Sequence, residues 1–367
     1  MREAKRFLMI AGLTWLSLFA LSLNFKPRDL RPWNRLRQGP FNFKPDSQVK
    51  MQICGDLGRI KGLKHRQFWR EQVFTTDPWG FRNPFRIEKP RVVVAGDSYA
   101  AGGGLNDDET ISFQMTKLLG EPVYNYAGES PWAPAEFLAD KRFKQNPPAV
   151  LVYAPVFRAI KPFPLTPPWN QAGWKARAGD IISDLQSFKI RLDRDNYLAE
   201  LSKKLVARFA PELISDLSSY ITEINVQGKP ALVLSLEIQG LTLNPEERQL
   251  ALTVRSLAEF NHLLKQRGIH LLFAPIPEPG TIYPDFYKPE SRAKLKHPAF
   301  IDLLFQELDK RDIDYLDLRP CFSANRFPYL YLPDDAHWNP RAVSIAGQAI
   351  ADRIRPLLKI EPRQEQP

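Results

Sequence analysis

A serine is a weak nucleophile until a base removes its proton. Imidazole is the usual base because its pKa lies near neutrality, and a carboxylate behind the ring fixes its tautomer. Both halves of that arrangement are present in this chain. Val92-Val93-Val94-Ala95 runs into Gly96-Asp97-Ser98-Tyr99, so a short apolar stretch delivers Ser98 into a turn. Near the other end, Asp334-Asp335-Ala336-His337-Trp338-Asn339 offers a histidine with carboxylates three and two residues before it. His65, His262, His270 and His297 lack such a setting. Gly102, Gly103 and Gly104 leave the Ser98 hydroxyl in an open loop, and Asp97 is expected to organise the turn by accepting backbone N–H bonds. The chemistry these residues would do is ester cleavage or acyl transfer through a Ser98 acyl-enzyme, with His337 as base.

Such a pair needs a scaffold that brings two distant loops to one place. Apolar runs at Arg91–Ala95, Pro122–Asn125, Ala149–Ala154, His270–Ala274 and Ile313–Leu318 read as strands, with Val233–Ile238 as a further candidate. Helical patterns lie between them at Thr110–Leu119, Ser256–Arg267 (ended by Gly268) and Pro298–Arg311. Asn339-Pro340 is a good helix start. This alternation predicts an α/β fold of three layers, α/β/α, around a mostly parallel sheet. Chemistry in such sheets gathers at the carboxyl ends of the strands. Ser98 and the His337 loop both follow strands, so both can reach that rim.

The 367 residues suffice for one large α/β domain with an insert, and 44% hydrophobic with 25% charged residues excludes wholesale disorder. The formal charge of +10 comes without a nucleic-acid recognition motif, so no nucleic-acid partner is expected. Its densest patch, Lys26, Arg28, Arg31, Arg35 and Arg37, follows an uncharged apolar stretch, Phe7–Leu23, and suits anionic lipid headgroups. With Arg2, Lys5 and Arg6 before it and no good cleavage site after it, that stretch reads as an uncleaved transmembrane or signal-anchor helix. The expected organisation is an anchor at 1–24, a linker and lead-in at 25–74, a catalytic domain at 75–357 and a tail at 358–367. A proline-rich then helical insert at 161–228 (Tyr197–Phe209 and Glu212–Thr222) would be a lid or partner-docking element. Cys54 and Cys321 are too few for a four-ligand zinc site and could pair in an oxidising compartment. No nucleotide-binding loop or metal-ligand cluster is visible, so neither cofactor nor metal is expected.

Taken together, the Gly-Asp-Ser turn and the Asp-x-His-Trp block resemble the first and last blocks of the SGNH (GDSL-type) hydrolase superfamily. The Trp after the His resembles its branch related to the alginate O-acetylation proteins. Thr76-Asp77-Pro78-Trp79-Gly80-Phe81-Arg82-Asn83 is similar to that branch's approach to the nucleophile, and Val123-Tyr124-Asn125-Tyr126-Ala127-Gly128 to the second block. The resemblance spans roughly 75 to 355 and implies an SGNH/flavodoxin-like fold. It also implies a catalytic domain on the periplasmic side of a bacterial inner membrane. The implied oxyanion donors are the N–H groups of Ser98 and Gly128. The third block should add an Asn side chain, which Leu151–Arg158 lacks; Asn125 is the candidate substitute. A second departure is Ala342, where the family commonly has Gly. The superfamily implies Asp334 as the carboxylate behind His337, the branch implies Asp335, and Asp334 is taken first. Arg82 and Arg158 are candidates for binding a carboxylate or sugar acid, and Trp79, Trp132, Trp169 and Trp174 for meeting sugar rings. The implied function is a membrane-anchored esterase or O-acetyltransferase acting on an extracytoplasmic polysaccharide, with a membrane-bound O-acyltransferase as partner. A non-catalytic glycan-binding scaffold and a lipid-directed esterase are the alternatives.

Overall fold

The structure, a computed structural model, describes residues 42–61, 63–128, 133–166, 217–242, 246–296 and 299–360, with Leu13, Thr14, Ser17 and Leu36. The chain divides into two compact units, residues 1–30 with 168–216 and residues 31–167 with 217–367. The sheet, its covering helices and the candidate site all belong to the second. Apart from Leu13, Thr14 and Ser17, the expected anchor lies outside the described residues, as does the helix expected at Tyr197–Phe209. Among the described residues no helix is long and apolar enough to cross a membrane.

An antiparallel hairpin, β1 (Gln48–Ile53) with β2 (Arg70–Thr75), comes first. Residues expected as linker therefore belong to the folded body from Phe43 onward. Phe43 is buried, donates its N–H to Gly80 O (2.7 Å), and sets its ring 4.9 Å from Phe74. The sheet is built from β3 (Val92–Gly96), β4 (Val123–Asn125), β5 (Val150–Ala154) and, after a second hairpin of β6 (Ile221–Val226) and β7 (Lys229–Leu234), β8 (His270–Phe273). Its order is β4-β3-β5-β8, and all its neighbours run parallel. The expected last strand shrinks to one parallel bridge, Phe273 with Tyr315.

The unbroken valine run of β3 needs cover on both faces, and it has it. Val92 and Val94 pack in one core with Met115, Ala346 and Ile350, from helices Ile111–Leu119 and Pro340–Leu358. Val93 and Ala95 pack in the other with Phe137, Phe260 and Leu304, from Ala133–Ala139, Glu247–Lys265 and Phe300–Asp309. The three-layer α/β/α expectation holds for these elements. Ala342, where the family commonly has Gly, is fully buried on the last helix. The end of the insert differs from expectation. Ile221, Ile224 and Val226 are buried in a strand, because Gln227 and Gly228, both at positive φ (53° and 78°), close a two-residue turn that demands a hairpin. Cys54 and Cys321 form no disulfide.

The chain lays β4 on one side of β3 and β5 on the other, so the carboxyl end of β3, where Ser98 stands, is the switch point of the sheet, the place where such folds bind ligands. The segment after Ser98 is fastened from below by Arg82. Its guanidinium, 1% exposed, donates to Asp107 Oδ1 (3.0 Å) and to the carbonyls of Val73, Ala101, Gly102 and Leu105, and lies over the Phe74 ring. Burial pulls its pKa below the ordinary guanidinium range, against the pull of Asp107. Arg82 is thus a clamp, not the substrate ligand expected of it: every side of its fork is spent on the protein. Arg82→Ala should lower unfolding free energy by about 3–5 kcal/mol in urea denaturation, since it takes the cation from the Asp107 carboxylate and one hydrogen bond from each of four carbonyls.

Candidate active site

The structure brings Ser98 and His337 together: His337 Nε2 lies 2.8 Å from Ser98 Oγ. Behind the ring, Nδ1 lies 2.7 Å from Asp335 Oδ1, the same oxygen that accepts the His337 backbone N–H at 3.2 Å. That double use is an Asx turn, in which a carboxylate accepts the N–H two residues on. With Nδ1–H donated to Asp335, Nε2 is left to accept the Ser98 hydroxyl proton. His337 is 7% exposed and Asp335 1%, so the relay runs through a largely dry interior.

Asp334, taken first from the sequence, does not face the imidazole. Its Oδ2 accepts the N–H groups of Gly55 (2.6 Å) and Phe68 (2.8 Å), its Oδ1 meets Arg70 Nη1 (3.2 Å), and its carbonyl accepts Leu57 N–H (3.1 Å). It pins the segment between β1 and β2 to the histidine loop. A side chain on Gly55 would collide with Asp334, so that glycine permits the close approach.

Ser98 is held by its neighbours. Asp97 accepts Tyr99 N–H (2.9 Å) and Val156 N–H (2.8 Å), tying the end of β3 to the end of β5; loss of solvent pushes its carboxyl above the usual range. Tyr99 donates its hydroxyl to Ala336 O, and Trp338 Nε1 donates to Tyr99 O (3.1 Å), so the two loops are laced on both sides of the dyad. Gly103 donates its N–H to Ser98 O (2.8 Å), and a Cβ there would lie 2.7 Å from His337 Nε2. The sequence presents Gly103 as part of an open loop; it is the floor under the imidazole.

The expected oxyanion donors fare unequally. Among the described residues none accepts the Ser98 N–H, which leaves it open. Gly128 N–H is spent on Gly96 O (3.2 Å), continuing the ladder beyond β4. Asn125, fully buried, uses Oδ1 on Ala127 N–H (3.0 Å) and Nδ2 on Ala100 O (3.3 Å). Gly128 N–H is thus held by the sheet, a correction to that expectation, and Asn125 braces the loop with its oxygen and one amide hydrogen. The Thr76–Asn83 stretch braces the same region: Asn83 exchanges bonds with the Asn125 backbone, and Asp77 accepts Trp79 N–H, Phe81 N–H and Asn83 Nδ2. Arg158 lies at the edge of the site, paired with buried Glu278, its guanidinium carbon 5.4 Å from the centre of the Tyr99 ring, which packs on His337. Glu278 holds its pKa above the ordinary guanidinium range against the opposing effect of burial. Trp79 is committed to packing, edge-on to Tyr124 and beneath Arg142. Trp132, Trp169 and Trp174 lie outside the described residues.

Residues 237–367 match the family model described as "SGNH hydrolase-like domain, acetyltransferase AlgX", which bears out the sequence resemblance over the part that holds Asp335 and His337. No curated protein matches the chain. Among solved structures, TesA is 12% identical (TM-score 0.36; 72% of this chain, 98% of that one). A lipolytic protein of the G-D-S-L family from Desulfitobacterium hafniense is 11% identical (0.35; 71% and 98%). A catalytic mutant of an acetylxylan esterase from Geobacillus stearothermophilus is 9% identical (0.33; 75% and 96%). Likenesses this slight carry no weight for substrate.

Two substitutions should separate the aspartates. Asp335→Asn should cut kcat on the order of a thousandfold or more while the protein stays folded. Asp334→Ala should instead cost about 2–4 kcal/mol of stability and leave kcat per folded molecule within about tenfold. The reverse pattern, read by ester hydrolysis and urea denaturation, would reassign them. Gly103→Ala should push the imidazole from Ser98 and lower kcat by at least about tenfold with little change in KM.

Proposed function

We propose that this chain is a serine esterase or O-acetyltransferase acting on O-acyl groups of a polysaccharide. The Asp335–His337–Ser98 relay carries the reading, and the match of residues 237–367 to an acetyltransferase family supports it. In the reaction, Ser98 Oγ attacks the acyl carbonyl as its proton passes to His337 Nε2. Asp335 stabilises the imidazolium, and the Ser98 N–H is placed for the oxyanion. Collapse of the tetrahedral intermediate breaks the ester bond; His337 returns the proton to the departing sugar oxygen and leaves acyl-Ser98. Water, or a hydroxyl of an acceptor sugar, then attacks while His337 takes its proton. The first course releases a carboxylic acid, the second makes a new ester, and both regenerate Ser98.

On the same reading Phe7–Leu23 anchors the chain in a bacterial inner membrane with the catalytic unit on the periplasmic side. The support for the anchor is its uncharged apolar length; the periplasmic side follows from the family resemblance alone, because both flanks are basic. The partner would be a membrane-bound O-acyltransferase that supplies acyl groups. One observation favours a scaffold instead: Gly128 N–H and the Asn125 amide are both engaged, and each absent oxyanion donor costs on the order of a hundredfold or more in rate.

The deciding experiment is acetate release from a small activated acetyl ester by the full chain, with and without an acetyl-accepting glycan. Release should fall at least about a thousandfold in Ser98→Ala. Diversion of acetyl to the glycan identifies a transferase, and release to water alone an esterase. A folded wild type that does neither leaves the scaffold.

A further inference from the structure

The relay's outer oxygen has a partner that takes no part in the proton transfers. Asp335 gives Oδ1 to His337; its Oδ2 faces Arg70 Nη2 at 3.6 Å. Arg70 opens β2 and its side chain is 23% exposed. The rest of its guanidinium is fixed: Nε donates to Gly104 O (3.1 Å), and Nη1 to Asp334 Oδ1 (3.2 Å) and Phe68 O (3.3 Å). Nη2 is buried and has no hydrogen bond, so its charge is left for Asp335. Gly104 sits at φ +78°, and a side chain there would meet Nη2 at 2.8 Å. The backbone after Ser98 thus makes room for this cation.

We infer that Arg70 is a positioning residue of the relay, which decides the oxygen that Asp335 turns to His337 and limits the basicity Asp335 confers on the ring. The inference rests on the proposed relay and goes one residue beyond it. A carboxylate with a cation behind it cannot rotate freely, so Oδ1 stays on Nδ1. The same cation opposes a second positive charge on the imidazole, so its removal should favour the protonated ring. The other charged groups around the ring are Asp97 on the β3 turn, Arg158 with Glu278 beyond Tyr99, and Asp334 beside Arg70. Among the described residues Arg70 is the one cation that bridges both aspartates of the histidine loop.

The test is the titration of His337 in the full chain, followed by NMR of the ring 13Cε1, with His337→Gln assigning the signal. The downfield Nδ1 proton serves as a second readout. In Arg70→Gln the midpoint should rise by about one pH unit, and the acid limb of kcat/KM should move with it while KM holds. In Arg70→Lys, which keeps the charge and loses the fork, the midpoint should stay near wild type while the downfield proton broadens or disappears. A folded Arg70→Gln that titrates like wild type overturns the inference. If Arg70→Gln does not fold, an Arg70→Lys protein with an unaltered downfield proton overturns it. The two NMR readouts stand whether or not the wild type cleaves an ester, so failure here is distinct from failure of the proposed reaction.

Discussion

An imidazole must be held within hydrogen-bond reach of a hydroxyl 239 residues away in the chain. No local rule of sequence can do that; only the folded body can, and much of what surrounds the site answers to it. The 2.8 Å contact is worth little alone and does not hold two loops together. The bonds on either side of it do: Tyr99 to Ala336, Trp338 to Tyr99, and the van der Waals floor of Gly103 beneath the ring. Each joins the turn after β3 to the histidine loop, so the dyad inherits its geometry from contacts that take no part in the chemistry.

A second layer keeps those loops in place. Arg82 gathers carbonyls along the segment after Ser98, and Asp334 gathers N–H groups from the stretch between β1 and β2. Both are buried charges whose removal would take hydrogen bonds from several backbone groups and leave a charged neighbour, Asp107 or Arg70, without that partner. Their burial also explains why each resembles a functional residue in sequence. A charged side chain beside the site is needed there, but as a fastener.

The valine run of β3, the strands beside it and the helices that cover them are legible in sequence, because a strand buried on both faces shows no alternation and an amphipathic helix shows a clear one. Ser98 and His337 are legible because few other chemistries need those residue types together. The hairpin of β1 and β2 is hidden. Arg70-Glu71-Gln72-Val73 reads as polar lead-in, and Gln72 is buried only because its amide reaches Leu105 O (2.7 Å). Arg70 leaves no signal for the same reason: its role depends on partners at 104, 334 and 335, far off in sequence. Gly128 misleads because whether its N–H joins a ladder or faces a crevice depends on how far β4 continues, which the residues themselves do not state.

The choice between the two aspartates has a local answer that spacing contains. A carboxylate two residues before a histidine can close an Asx turn on the histidine's own N–H. Here that turn uses Asp335 Oδ1, and the oxygen that accepts the backbone N–H lies where the ring's Nδ1 also meets it. The loop is narrow: Leu332 N–H bonds His337 O at 2.9 Å, and Tyr331 pairs with Trp338. Within so tight a turn Asp335 is committed to the ring by its own backbone, and Asp334 is left to face the opposite wall. The wall it meets is the N-terminal segment with Arg70, which touches both carboxylates. The spacing of acid to histidine therefore fixes more than the relay. It turns the outer carboxylate toward the hairpin, and through Arg70 that hairpin reaches back to the inner one.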